Sequence, residues 1–112
     1  MHPSRAKQIK PKHSKENLKK LKKMDGLARE VMKAFRAFDK AAVAAGAIPV
    51  KYKELMTVAV ALTTQCPYCI TIHGANARKA GANEAELTEA SMVAASLRAG
   101  AAVTHATHAL AD

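Results

Sequence analysis

The octapeptide Cys66-Pro67-Tyr68-Cys69-Ile70-Thr71-Ile72-His73, with Glu54 twelve residues before it, decides how this chain is read. At about 3.6 residues per helical turn, positions 66, 69 and 73 fall on one face. Pro67 suits the first helical position, which makes Cys66 the N-cap. A thiol there lies at the positive end of the helix dipole, among backbone N–H groups that favour a thiolate. Two thiols and an imidazole on one face are equipment for redox chemistry. Peroxide turns a thiolate into a sulfenic acid, and a second thiol condenses with it to a disulfide. His73, one turn beyond Cys69, serves as proton acceptor.

Outward from that stretch every segment reads as helix, so the fold class is all-α. Upstream, Leu55, Met56, Val58, Ala59, Val60 and Leu62 make residues 51–64 apolar nearly all round, which predicts a buried central helix. Glu54 lies on it in a phase aimed inward, where a carboxylate needs a donor or a raised pKa. Two readings stay open for it: a first-turn acid at a helix N-terminus, or a partner of His73 if the helices pack antiparallel. Further upstream, Met24, Leu27, Val31, Phe35, Phe38 and Ala42 form one apolar stripe on a helix that Gly46 and Ile48-Pro49 bring to a stop. At that spacing Phe35 and Phe38 are expected in the core. Downstream, Gly81 ends the CxxC helix. Asn83-Glu84-Ala85-Glu86 then opens another with a capping box, running to Gly100. A last helix, from Ala101 to about Leu110, follows or continues it with a kink. His105 and His108 share a face there and are expected at the surface.

The 112 residues make one domain. Hydrophobic content is 49%, but much of it is alanine, with no Trp, two Phe and two Tyr. So lean a core favours a homo-oligomer. The net charge of +9 is concentrated at the start: residues 1–24 hold nine Lys or Arg against Glu16 alone. We therefore divide the chain into a basic arm, residues 1–23, and a helical domain, residues 24–112. Pro3 and Pro11 extend the arm, and Ser14 caps a short lysine-rich helix. No aromatic residues interleave with the lysines, which argues against nucleic acid as a partner. The longest apolar run, Ala41 to Val50, is broken by Gly46 and Pro49 and is too short for a bilayer. A lone CxxC is not a secreted disulfide framework, so the expected compartment is the cytoplasm.

Glu54-x11-Cys66-x2-Cys69-x3-His73, followed by Gly74 and a helix ending at Gly81, resembles the AhpD-like alkylhydroperoxidase branch of the carboxymuconolactone decarboxylase superfamily. The resemblance covers residues 24–110. It implies an AhpD-like all-α domain that assembles as a trimer or hexamer and reduces hydroperoxides through the CxxC. It makes Cys69 the attacking thiol, Cys66 the resolving one, and His73 with Glu54 the proton relay. No cofactor or metal is implied; electrons come from an external dithiol or a protein reductant. One departure is Tyr68, where the best-studied members carry a further histidine. Two other readings use the same residues: a thiol–disulfide exchanger or sensor with little turnover, and a zinc site built from Cys66, Cys69, His73 and Glu54.

Overall fold

The computed structural model describes residues 15–112 and is helical throughout them. A 3-10 turn, Lys15–Lys19, leads into α1 (Lys20–Leu27); α2 (Arg29–Val43), α3 (Val50–Thr64), α4 (Pro67–Lys79) and α5 (Glu84–His105) follow, and a 3-10 turn, Ala106–Ala109, closes the chain. Ser14, Pro3, Pro11 and the first half of the basic arm lie outside the described residues. The chain forms two compact units, one ending at Ala42 and the other running from Val43 to Asp112.

In the first unit the expected continuous helix is interrupted at Ala28, whose backbone leaves helical geometry (φ −136, ψ 62). Ala28 N–H still bonds to Met24 C=O, and Arg36 of α2 grips Asp25 of α1 through both carboxylate oxygens at 2.8 and 2.9 Å. That pair is solvent-exposed and adds little stability. Phe35 and Phe38 are not core residues here. They are 56% and 71% exposed, and Leu27 and Val31 beside them more than 70%.

The second unit packs α3 against both α4 and α5. Its core is small: Val58, Ala77 and Ala82, with Leu55, Leu62 and Leu87 packed on it. Only one face of α3 is buried, through Glu54, Val58 and Ala61, while Met56 and Val60 stay at least half exposed. The helix is therefore central but not enclosed. Alanine at 77, fully buried, lets α4 come close.

Caps set the ends of α4. Gly81, at φ +100, turns the chain in a Schellman motif, with Ala82 N–H on Ala77 C=O and Gly81 N–H on Arg78 C=O. Two residues on, the capping box closes as expected: Asn83 Oδ1 accepts from Glu86 N–H at 2.8 Å and Glu86 Oε1 accepts from Asn83 N–H at 3.0 Å. The other oxygen of Glu86 pairs with Lys51 at 2.7 Å, tying the start of α5 to the start of α3. This contact holds the Glu86 carboxyl below its ordinary range and raises Lys51. At the far end α5 runs through Gly100 without a stop and ends five residues later.

Candidate functional site

Between α3 and α4 the chain reverses in two residues. Gln65 takes the left-handed conformation (φ 56, ψ 46), and both its N–H and that of Cys66 bond to Ala61 C=O. For a non-glycine residue this conformation costs about 1–2 kcal/mol. It delivers Cys66 to the N-cap of α4 with Pro67 directly after it, as the sequence predicts. Arg98 of α5 donates to Thr63 C=O beside the reversal and fixes it from a third helix.

The two sulfurs lie 2.8 Å apart, so a small side-chain rotation brings them to the roughly 2.05 Å of a disulfide. Cys69 N–H points at Cys66 Sγ across 3.4 Å. That donor favours negative charge on Cys66. The Cys66 thiol is accordingly held below the ordinary thiol value, first by the side chain of Cys69, then by the backbone N–H groups of Cys69 and Tyr68, against an opposing effect of burial.

One turn on, His73 Nδ1 lies 3.1 Å from Glu54 Oε2. Of the two readings of Glu54, the structure brings out the inward one. It is 6% exposed, and the first turn of α3 holds no acid. A carboxylate in its ionised form only accepts, and toward it Nδ1 is the donor and Nε2 the nitrogen left to face elsewhere. Thr57, which sequence reasoning did not single out, also reaches this carboxylate. Its hydroxyl is 2.6 Å from Glu54 C=O and 3.2 Å from Oε2. The available signal was a hydroxyl three residues after an inward acid on an otherwise apolar helix face.

Cys69 and His73 of α4 face a cavity of about 310 Å³ whose other wall is α3 from Met56 to Thr64. Glu54 sits behind the imidazole and Cys66 behind Cys69; neither lines the cavity. Tyr68 is half-buried in the first turn of α4. His105 and His108 do not join this site: their rings lie 5.6 Å apart at the exposed end of the chain.

Zinc does not suit the donor set as it stands. Tetrahedral bonds of about 2.3 Å would hold two thiolates roughly 3.8 Å apart, wider than this pair. Among the described residues no group of three or more His, Cys, Asp or Glu is arranged to hold a metal ion. Nor, among them, is any helix long and apolar enough to cross a membrane.

Similar proteins place this architecture. Over 78 residues the chain is 50% identical to uncharacterised protein 4 in the cox locus of Paracoccus denitrificans, covering 70% of each. An uncharacterised protein of Cupriavidus necator is 32% identical over 80 residues, 71% of each chain. A crystal structure of a protein from Methanobacterium thermoautotrophicum superposes with a TM-score of 0.72 at 34% identity, covering 77% of this chain and 97% of that one. The carboxymuconolactone decarboxylase family model matches residues 29–112, from the start of α2 through both cysteines and the imidazole to the C-terminus. With a match that spans three-quarters of its length, the chain belongs to the carboxymuconolactone decarboxylase family.

Proposed function

We propose that this protein is an AhpD-like peroxidase that reduces hydroperoxides through Cys66 and Cys69. The observation that carries the reading is the shared cavity: Cys69 faces it beside His73, with Cys66 in contact behind one and Glu54 behind the other. His73 removes the proton from Cys69. The thiolate attacks the outer peroxide oxygen, forming Cys69 sulfenic acid, and the departing alkoxide takes the proton back from the imidazolium. Cys66, as thiolate, attacks the Cys69 sulfur and expels hydroxide, which solvent protonates to water. The disulfide is then reduced by an external dithiol or a protein reductant, a supply that the cytoplasm provides.

The division of labour reconciles two demands on the pair. The N-cap position stabilises charge on Cys66, yet the cavity and the base belong to Cys69. A resolving thiol whose pKa is lowered by its N-cap donors depends less on a base of its own. The test is steady-state reduction of an organic hydroperoxide with a dithiol present: the native chain turns over, and Cys66→Ser and Cys69→Ser do not. Retained turnover in either variant excludes the mechanism. A chain that exchanges disulfides but never consumes peroxide is the exchanger or sensor instead.

The same reading includes a homo-oligomer, of trimer or hexamer size, built on the 24–112 helical domain. The support is the composition of the core. Among the described residues the buried apolar positions are Val58 and four alanines, whereas seventeen larger apolar side chains are exposed. Burying one such side chain gains about 1.5–3 kcal/mol. Sedimentation tests this directly, and a monomer at micromolar concentration contradicts it.

A further inference from the structure

We infer that Thr57 is a positioning residue for the Glu54–His73 pair: its hydroxyl holds the carboxylate oxygen on which the imidazole depends. The inference rests on the peroxidase reading for its kinetic consequence but not for its structural one.

Four other hydroxyls of α3 and α5 bond to backbone. Thr63, Thr64, Thr88 and Ser91 each donate to a carbonyl three or four residues back. Thr57 does this too, but its oxygen is also 3.2 Å from Glu54 Oε2, the same atom that lies 3.1 Å from His73 Nδ1. The one hydroxyl hydrogen is shared: Glu54 C=O is its nearer acceptor, and Oε2, the oxygen that faces His73, is the second. Those contacts leave Glu54 few rotamers, and the carboxylate in turn fixes the imidazole tautomer. The residue also lies on the wall of the cavity, so it reaches the dyad from the side the substrate enters. Losing the second branch frees a long side chain at a buried position.

Two roles for Thr57 make opposite forecasts. As a positioning residue it needs its hydroxyl; as mere cavity wall it needs its methyl and its volume. Thr57→Val keeps the shape and removes the hydroxyl, while Thr57→Ser does the reverse. The expected result is a fall of about tenfold in kcat for Thr57→Val with KM little changed, and recovery of most of the rate in Thr57→Ser. In a Glu54→Gln background Thr57→Val costs nothing further, because it acts through that carboxylate. Nitrogen-15 shifts of the His73 ring give a readout free of turnover. The native ring is one tautomer with hydrogen on Nδ1, and Thr57→Val mixes the two. Circular dichroism checks that both variants fold. Should Thr57→Val keep its rate and its single tautomer while Thr57→Ser slows, the residue is wall and the inference falls. A native protein without peroxide turnover sinks the functional reading alone, and the ring shifts still decide the place of Thr57.

Discussion

Among their described residues, the two units of this chain differ in whether they bury any hydrophobic residue at all. The first holds large side chains, Leu27, Val31, Phe35 and Phe38, on a clean helical stripe, and exposes all of them by more than half. The second buries Val58 and alanines at 61, 77, 82 and 94, although it too exposes large side chains such as Met92 and Leu97. The catalytic candidates all sit in the second. Small residues let α3 and α4 approach until Glu54 meets His73, whereas a stripe of phenylalanines carries area without a surface of its own to cover. An amphipathic pattern says that a face is destined for burial; it does not say in which chain.

The largest effects should come from the packed unit. Cys69→Ser and Cys66→Ser each lower peroxide turnover by at least about a thousandfold, and His73→Ala by about a hundredfold or more. If instead Phe38→Ser were as damaging in a chain still of native size, the site would not be confined to the second unit. Next comes packing: Ala77→Leu overfills a fully buried position and destabilises by about 1–3 kcal/mol, read by denaturant melts. Phe35→Ser, by contrast, leaves the helical content intact and reduces the assembly to smaller particles, read by sedimentation. An unchanged particle size would mean that the stripe is not the contact.

Turn chemistry gives smaller shifts of opposite sign. Gly81→Ala should cost about 1–2 kcal/mol, all of it from the backbone at φ +100, since an added Cβ meets only Lys51 Cδ at 3.9 Å. Gln65→Gly should gain up to about 1 kcal/mol by relieving the left-handed residue before Cys66. The smallest effect lies in the titration of Cys66. Its lowered value means that its stabilising contribution is complete above the ordinary thiol value and fades as pH falls through the lowered one. Alkylation of Cys66 therefore stays fast below the pH at which free thiols slow. Cys69→Ala, which removes the leading cause, moves that profile back up.

Much of this was legible in the sequence, for local reasons. The N-cap at Cys66, the capping box at Asn83 and Glu86 and the stop at Gly81 each depend on a few consecutive residues. So does the phase of Glu54. What the sequence misjudged depended on long-range packing. The stripe of Phe35 and Phe38 reads as core because periodicity cannot identify the partner. The sequence left open whether a new helix follows Gly100 or the same one continues, and α5 runs on through it to His105. The break at Ala28 has no Pro, nor any glycine at the break itself, to announce it. Thr57 was overlooked because its second acceptor is a side chain on its own helix, invisible until rotamers are known.

The account rests on two sulfurs that become bonded when peroxide arrives. Stoichiometric organic hydroperoxide, added to the reduced protein and followed by thiol titration and intact mass, tests that most directly. The expected result is loss of both thiols, a mass lower by two hydrogens, and one equivalent of alcohol, all reversed by a dithiol. Two thiols still titratable after the peroxide is added, with no cross-link between Cys66 and Cys69, would contradict it.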